Sequence, residues 1–311
     1  MSTTAIARLT IADLPPVRGR MIENADLSAL TWLRVGGPAD VLFIPADEAD
    51  LGDFLTRLDG DVPVYPMGVG SNLLVRDGGI RGVVVRLAKG FADIHTDGVT
   101  VHAGAAALDA HLAKKAGTAG IGGLEFYCGV PGTIGGALAM NAGAYGRETR
   151  DVMIEATGFD RQGTPFAFTC AEMDFAYRHC GVAASRFFTG AIFRGIKDDP
   201  AAIEARMATI MRQREESQPI RERTGGSTFA NPLGQKSWAL IDSVGGRGRR
   251  VGDAEFSEQH CNFLINRGNA AAADLEALGE GVRADVLTQH EIDLRWEIRR
   301  VGEPGAPGGK S

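Results

Sequence analysis

The sequence predicts an α+β protein built from three successive blocks, because the proportions of strand, helix and glycine change along the chain. The first block, 23–87, has the pattern of a small β-α-β unit. The second, 88–199, is rich in short strands and in glycine. The third, 200–302, opens with a long helix and ends in LRWEIRRV, whose apolar and charged residues alternate. We therefore expect two α+β subdomains followed by a C-terminal α+β domain.

Each element of these blocks has its own periodicity. After the strand at 41–45, Leu51, Phe54, Leu55 and Leu58 fall on one face of a helix. Further helices are predicted at 106–116, 200–216, 238–244 and through the segment that carries Leu275, Leu278, Val282 and Val286. Further strands are predicted at 62–65, 82–87, 99–104, 188–194 and 261–266.

The two ends of the chain lack the pattern of a folded domain. Residues 1–22 combine weak periodicity with the pair Pro15-Pro16, which predicts an N-terminal arm. Residues 303–311 are dominated by glycine and proline, a composition typical of a disordered tail. The folded blocks are therefore expected between these two segments.

Charge and cysteine content argue against several classes of protein. A formal charge of -6 offers no basic surface for nucleic acid or anionic membranes. No stretch reaches the roughly eighteen consecutive apolar residues of a membrane span, and the N-terminus lacks a signal-peptide core. The four cysteines form no C-x-x-C pair, which favours buried free thiols over a metal site. We expect a cytoplasmic protein without membrane insertion that acts on small molecules.

The stretch YPMGVGSNLLV, residues 65–75, places two glycines directly after a predicted strand. Gly68 and Gly70 would let backbone N–H groups approach a phosphate, and Ser71 and Asn72 add side-chain donors. Leu73 stands where the dinucleotide-fold fingerprint requires a third glycine, so a Rossmann fold is disfavoured. By its own chemistry this stretch fits a phosphate loop or an ordinary turn equally well.

A second glycine-rich run, GVPGTIGGALAMNAGAYG, covers residues 129–146. Glycine inside a helix costs about 0.5–1 kcal/mol relative to alanine, so several here indicate that missing side chains make room for a ligand. Close helix packing is the alternative. Two such loops, separated in the chain, suit a long ligand with a pyrophosphate, such as FAD, between two subdomains. The candidate contacts in this run are Gly132, Thr133, Gly135, Gly136, Asn141 and Gly143.

The stretch GGSTFANP, residues 225–232, sets a single serine after two glycines. The glycines allow left-handed backbone and Pro232 restrains the exit, so Ser227 is predicted to lie on a defined turn rather than in a regular element. A surface turn with serine as an ordinary turn residue is the alternative.

Five ordered motifs give the chain a wider resemblance. YPMGVGSNLLV, GLEFYCGVPGTIGGALAMNAGAYG, FAYRHC, GGSTFANP and WEIRRVG resemble those of the UDP-N-acetylenolpyruvoylglucosamine reductase (MurB) family, from about Leu30 to Gly302. The resemblance implies an FAD-binding fold of the vanillyl-alcohol oxidase type with a C-terminal substrate domain. It also implies peptidoglycan precursor chemistry, in which NADPH reduces FAD and the enolpyruvyl ether of UDP-N-acetylglucosamine is then reduced to the lactyl ether.

The resemblance assigns roles to individual residues. Ser227 would donate the proton that completes the reduction, Arg178 would hold the substrate carboxylate, and Glu297 would act beside it. Asn231 and Arg214 would contact the substrate, Arg214 at its pyrophosphate. By its sequence context alone, the pair Arg178 and Glu297 fits a solvated pair on a strand. Because Arg295 and Arg299 share the predicted face of Glu297, we expect them to favour its ionised form unless burial opposes the effect.

The chain also departs from the family pattern. Ala230 stands where the family often has lysine, and the short spacing between Arg178 and Ser227 matches the subtype without a tyrosine-bearing insertion. Neither glycine loop has a histidine or cysteine for covalent attachment, so FAD is expected to bind non-covalently. We expect a monomer. An oxidase of the same fold or a non-catalytic nucleotide-sugar binding module are the alternatives.

Overall fold

The computed structural model of the protein describes residues 8–305. Part of the expected arm, residues 1–7, and most of the expected tail, residues 306–311, lie outside the described residues. The remainder of the arm carries one turn of 3-10 helix at Ile11–Asp13 and leads into a strand that begins at Arg20. The expected boundary at residue 22 therefore falls inside a strand.

The first subdomain is a four-stranded sheet with one helix. Strands β2, β5 and β3 are parallel, and β1 adds antiparallel to β2. Asp47 caps the helix by accepting a hydrogen bond from the backbone N–H of Asp50, and Leu51, Phe54 and Leu55 bury its apolar face as the periodicity predicts. The elements are β1 Arg20–Ala25, β2 Ala39–Ile44, α1 Glu48–Arg57, β3 Val64–Met67, β4 Leu73–Val75 and β5 Ile80–Arg86.

The second subdomain is built on a five-stranded antiparallel sheet of order β12-β11-β15-β7-β6. Helices α2 and α3 pack on this sheet around a core that contains Tyr127 and Phe193. The elements are β6 Ile94–Asp97, β7 Thr100–Gly104, α2 Asp109–Thr118, β8 Ile121–Gly122, α3 Ile134–Met140, β9 Gly143–Ala144, β10 Arg147–Glu148, β11 Met153–Asp160, β12 Pro165–Thr169, β13 Phe175–Ala176, β14 His179–Cys180, β15 Arg186–Arg194 and β16 Ile196–Lys197.

The C-terminal domain combines a second four-stranded sheet, β17-β20-β19-β18, with helices α5 and α6, whereas α4 packs against α2 and β8 of the second subdomain, although the sequence assigned it to the third block. The long helix predicted from residue 200 is present and is capped by the Asp199 side chain, and α6 buries Leu275, Leu278, Val282 and Val286. The elements are α4 Pro200–Ser217, β17 Thr224–Ser227, α5 Ser237–Ser243, β18 Arg250–Val251, β19 Ala254–Phe256, β20 Phe263–Asn266, α6 Ala272–His290 and β21 Arg299–Val301.

The end of the chain returns to the first subdomain. LRWEIRRV is a shorter strand than its alternation predicts, because only Arg299–Val301 pair, in parallel with β4, while Trp296 makes a single bridge to Phe229. This pairing brings the segment that carries Glu297 against the loop before β4. The C-terminal domain and the first subdomain are thus joined next to the first glycine loop.

The four cysteines are free thiols. Cys128, Cys180 and Cys261 are buried free thiols, as predicted, whereas Cys170 is only half-buried. Over residues 8–305, none of the helices has the length and apolar character needed to cross a membrane.

Candidate active site

A cavity of about 880 Å³ lies where the two subdomains and the C-terminal domain meet. Its walls combine the first glycine loop, the second glycine run, the turn after β13 and the segments around Ser227 and Glu297. Most of the residues predicted from sequence line it, although they come from distant parts of the chain. These residues are Gly68, Gly70, Ser71, Asn72, Gly132, Thr133, Gly135, Gly136, Gly143, Arg178, Arg214, Ser227 and Glu297.

The two glycine loops face each other across this cavity. A β-carbon at Gly68 would stand 2.9 Å from the Thr133 hydroxyl oxygen, closer than carbon and oxygen approach without displacement. Glycine at 68 lets the first loop approach the second without displacing the Thr133 side chain. The exposed backbone that results is the surface on which a flat or phosphate-bearing ligand can lie.

Asn72 ties the first glycine loop to the C-terminal domain. Its side-chain amide donates to the backbone carbonyl of Glu297 at 2.9 Å, and its backbone carbonyl accepts from the backbone N–H of Arg299 at 3.0 Å. The residue lines the cavity, but these two bonds give it a structural task that its position in a glycine loop does not reveal. They place the backbone of Glu297 at the cavity wall.

Arg178 occupies the second position of the two-residue turn between β13 and β14, with φ of +53°. This left-handed region favours glycine, and an arginine there costs on the order of 1 kcal/mol. The turn aims the guanidinium at the cavity, where its Nε donates to Glu297 Oε1 at 2.8 Å and one terminal nitrogen donates to the Gly143 carbonyl at 2.8 Å. The side chain is 19% exposed, so this pair is not the solvated strand pair that the sequence alone allows.

Burial raises the pKa of Glu297 above its usual range, although Arg178 and, more weakly, Arg295 act in the opposite direction. Arg178 and Arg295 act in the expected direction, but burial outweighs them, which is the exception that the sequence-based expectation allowed. Arg299 instead turns away and donates to the Ala139 carbonyl. Glu297 can therefore hold a proton more readily than an exposed glutamate.

Ser227 ends strand β17, so it lies in a regular element and not on the predicted isolated turn. The register between β17 and β20 shifts after Thr224, because Gly225 and Gly226 oppose a single residue in a β-bulge. Gly226 has φ of +79°, which suits glycine alone among common residues. The Ser227 hydroxyl makes no hydrogen bond to the described part of the chain, and the next residue, Thr228, accepts from the Glu297 N–H at 2.8 Å. Ser227 and Glu297 thus belong to neighbouring backbone segments.

Comparison with known proteins identifies the family. Two family models match, an FAD binding domain over residues 39–168 and the UDP-N-acetylenolpyruvoylglucosamine reductase C-terminal domain over residues 218–301. The UDP-N-acetylenolpyruvoylglucosamine reductases of Maricaulis maris (strain MCS10) and Rhodopseudomonas palustris (strain HaA2) are each 59% identical, over 94% of this chain and 95% and 94% of theirs. The chain belongs to the UDP-N-acetylenolpyruvoylglucosamine reductase family. The crystal structure of the Thermus caldophilus member has a TM-score of 0.79 at 33% identity, covering 92% of this chain and 99% of that one.

The FAD-binding domain of this reductase family member contains both glycine loops. The predicted α+β FAD-binding fold with a C-terminal domain is therefore confirmed, and FAD is its cofactor. The cavity suits this group on two observations: the glycine backbones leave a cradle that side chains would fill, and a buried carboxyl in its wall, Asp109, lacks a hydrogen-bond partner in the described chain.

Two residues predicted to contact ligands lie outside the cavity wall of this family member. Asn141 is fully buried in left-handed backbone at the end of α3, where its amide donates to Glu148 and to the Ala176 carbonyl. The Asn231 side chain accepts from the Ser237 N–H and so orders the start of α5. Both side chains are used to shape the fold around the reductase site.

Many residues that line the cavity are not predicted from the sequence, among them Tyr145, Arg299 and Asp109. Tyr145 projects from left-handed backbone and donates to the Ile210 carbonyl of α4, the helix that carries Arg214. For Tyr145 the adjacent glycine run was an available signal, whereas the place of Asp109 depends on packing between distant segments.

Proposed function

We propose that the chain catalyses the NADPH-dependent reduction of UDP-N-acetyl-3-O-(1-carboxyvinyl)-glucosamine to UDP-N-acetylmuramate, a step of peptidoglycan precursor synthesis. The observation that carries the proposal is the convergence of Ser227 and the Arg178–Glu297 pair on the cavity that both glycine loops line. These residues come from three separate segments of a chain that belongs to the reductase family.

The glycine loops around Gly68 and Gly132 would hold FAD, without a covalent bond, because their backbones approach closely and neither loop carries a histidine or cysteine. When bound, the cofactor supplies the hydride transfer from NADPH to the enol ether. The chain's own residues must then bind the substrate carboxylate, stabilise the charge that develops beside it and deliver a proton to the neighbouring carbon.

Arg178 is suited to the carboxylate. Its Nε donates to Glu297 and one terminal nitrogen donates to the Gly143 carbonyl. The other terminal nitrogen of Arg178 has no acceptor among residues 8–305. The free nitrogen can donate to the substrate carboxylate while Glu297 keeps the guanidinium plane fixed. The same guanidinium would stabilise the negative charge that develops next to the substrate carboxylate.

Ser227 is suited to proton delivery at its Oγ. A serine hydroxyl is a weak acid, so its proton moves to the substrate carbon only if nearby groups stabilise the oxygen left behind. Arg178 supplies positive charge at the same cavity, and Glu297, with its raised pKa, is a nearby group able to return a proton. The β-bulge at Gly225 and Gly226 sets the direction in which the Ser227 side chain leaves the backbone at the cavity wall.

Arg214 is the proposed contact for the substrate pyrophosphate. It lines the cavity from α4, and its Nε donates only to the neutral Gln218 side chain, at 3.3 Å. Burial lowers its pKa, and no carboxylate among the described residues pairs with it. Arg214 and Arg299 also supply cationic charge to the cavity, whose wall does not include Ala230.

The test is a comparison of Ser227→Ala with Ser217→Ala. Ser217 also lines the cavity, but its hydroxyl donates to the helix carbonyl of Gln213, so it is a matched control. Each holoenzyme is reduced anaerobically with NADPH and then mixed with the enolpyruvyl nucleotide while flavin absorbance is followed. We expect NADPH to reduce the flavin at a normal rate in wild type and in both variants. Reoxidation of the flavin by the nucleotide should be slowed about 100- to 10,000-fold only in Ser227→Ala.

Two results would contradict the proposal. If the nucleotide fails to reoxidise the wild-type enzyme while oxygen does so rapidly, the protein is an oxidase of the same fold. If wild type binds the nucleotide but NADPH leaves the flavin oxidised, a non-catalytic binding module is the better description.

We further propose that the enzyme acts in the cytoplasm as a monomer. The proposed catalytic residues Ser227, Arg178 and Glu297 line one cavity of a single chain, which supports this proposal. The proposed substrates are nucleotides of cytoplasmic metabolism. Light scattering coupled to size-exclusion chromatography should give a mass near 32.9 kDa, and a dimer mass would contradict the monomer.

A further inference from the structure

The turn that presents Arg178 belongs to a small hairpin. Its strands, β13 and β14, have two residues each, and among residues 8–305 they pair only with each other. An isolated two-stranded ribbon is at best marginally stable in water. Because no larger sheet fixes this turn, contacts from outside the hairpin must determine where the Arg178 side chain points.

The second glycine run supplies two such contacts. The backbone carbonyl of Gly143 accepts from the Arg178 guanidinium at 2.8 Å. Asn141 contacts the backbone of the hairpin, because its side-chain nitrogen, Nδ2, donates to the carbonyl of Ala176 at 3.1 Å. Ala176 is the last residue before the two-residue turn of Tyr177 and Arg178. The run that lines the cavity thus also holds the turn that carries Arg178.

The other hydrogen bonds of Asn141 fix the direction of its amide group. Nδ2 also donates to Glu148 Oε2 at 2.9 Å, and Oδ1 accepts from the Arg150 N–H at 3.0 Å. A carboxylate needs a donor and an N–H needs an acceptor, so only one orientation of the amide satisfies both partners. Asn141 is fully buried, and all of these bonds are therefore shielded from water.

The backbone of Asn141 supplies an independent argument. Its φ is +46°, in the left-handed region where glycine is the least strained residue. The run from 129 to 146 contains six glycines, yet asparagine stands at this position. A side chain is kept where glycine would fit the backbone better, which indicates that the amide is needed. Of its three hydrogen bonds, the one to Ala176 reaches the hairpin.

We propose that Asn141 is a positioning residue for Arg178. By holding the Ala176 carbonyl it fixes the turn, so that the guanidinium keeps Nε on Glu297 and one terminal nitrogen free for the substrate carboxylate. The Asn141 side chain lies outside the cavity wall, so it acts through Arg178 and not by contact with a ligand. The inference rests on the proposed role of Arg178 in the reduction of the substrate.

The first test compares Asn141→Gly, Arg178→Ala and the double variant, each as the FAD-loaded enzyme. Glycine suits the left-handed backbone, so Asn141→Gly removes the amide without adding strain. NADPH should reduce the flavin within about threefold of the wild-type rate in every variant. Reoxidation by the enolpyruvyl nucleotide should be slowed about 10- to 100-fold in Asn141→Gly, because a displacement of about 1 Å at a reacting group can cost about 100-fold.

The double variant gives the deciding result. Without the Arg178 guanidinium there is nothing left to position, so adding Asn141→Gly to Arg178→Ala should change the reoxidation rate by less than about threefold. Effects that multiply would show that Asn141 acts by another route and would overturn the inference. A slow Arg178→Ala with a normal Asn141→Gly would overturn this inference alone. A normal rate in Arg178→Ala would overturn both this inference and the proposed role of Arg178.

Asn266→Ala is the matched control for the loss of a buried asparagine. Asn266 is 3% exposed and lies outside the cavity wall. Its side chain also makes three hydrogen bonds, to the Leu33 carbonyl and from the N–H groups of Gly268 and Ala270. Its replacement should lower the melting temperature and leave both half-reactions within about threefold of wild type. Equal slowing of reoxidation in Asn266→Ala and Asn141→Gly would trace the effect to lost stability and overturn the inference.

A binding measurement separates the carboxylate from the rest of the substrate. Arg178 is proposed to hold the carboxylate, so oxidised Asn141→Gly should bind the enolpyruvyl nucleotide about 3- to 10-fold more weakly than wild type does. UDP-N-acetylglucosamine, which lacks the carboxylate, should bind equally to both proteins, and FAD affinity should be unchanged. Equal losses for the two nucleotides, or a loss of FAD affinity, would place Asn141 in ligand binding itself and overturn the positioning role.

Discussion

Two arginine–glutamate pairs in this protein have opposite effects on their carboxyl groups. In the C-terminal sheet, Glu255 is fully covered, yet Arg267 and Arg250 both contact it and the pKa of Glu255 falls below its usual range. In the cavity, Glu297 has one close cation, Arg178, and its pKa rises. The number of cations near each carboxyl group, and the water that reaches them, decide whether the rise in pKa caused by burial is offset. The first pair is suited to stability and the second to chemistry.

The largest contrast is expected from removing the arginine of each pair. Arg178→Ala should lower kcat about 100- to 1,000-fold, because it removes a donor aimed at developing charge. Arg267→Ala should leave kcat within about threefold and lower the free energy of unfolding by about 1–2 kcal/mol, since Arg250 still faces Glu255. Steady-state kinetics and urea unfolding of both variants measure the two effects. Similar kinetic losses in the two variants would show that the pairs are not distinct.

A smaller contrast is expected in the pH dependence of stability. The lowered pKa of Glu255 contributes stability that is complete above the unfolded value of 4.5 and is lost as the pH falls through the folded pKa. The raised pKa of Glu297 acts in the opposite sense, because its penalty is absent below 4.5 and develops as the pH rises through the folded pKa.

Glutamine variants test these two signs. Glu255→Gln should lose most stability relative to wild type above pH 4.5, with the difference shrinking in acid. Glu297→Gln should compare most favourably with wild type at neutral pH and lose that advantage near pH 4. Urea unfolding between pH 3.5 and 7.5 measures both, and parallel curves for the two variants would contradict the contrast.

The smallest effect is expected at Arg295. Its cation is exposed and contributes the weakest of the influences that lower the pKa of Glu297. Arg295→Gln should therefore move the pH profile of kcat upward by only about a few tenths of a pH unit, and less at high salt. A larger displacement would mean that a second cation matters at this site, as it does at Glu255.

Much of the fold followed from local patterns. The α1 face of Leu51, Phe54 and Leu55 matches its periodicity because the helix buries that face, and the long helix predicted from Pro200 is present. The prediction of a strand over 294–301 was only partly correct. Its alternation is present in the burial of Leu294 and Ile298, but hydrogen-bonded pairing needs a partner, and only β4 supplies one. Ser227 was expected on a turn because two glycines precede it, and the structure uses them for a bulge within a strand.

Ordered motifs and periodicity are local properties, so the family and the helices with one apolar face follow from the amino-acid sequence alone. Which of the predicted site residues line one cavity, and what each of them contacts, depends on tertiary packing. Burial outweighs the effect of the arginines on the pKa of Glu297, as the expectation allowed, and among residues 8–305 it leaves the Asp109 carboxyl without a hydrogen-bond partner. The side chains of Asn141 and Asn231 form hydrogen bonds within the fold and do not line the cavity. Burial and hydrogen bonding depend on what packs around a side chain, and that packing involves segments far apart in the chain.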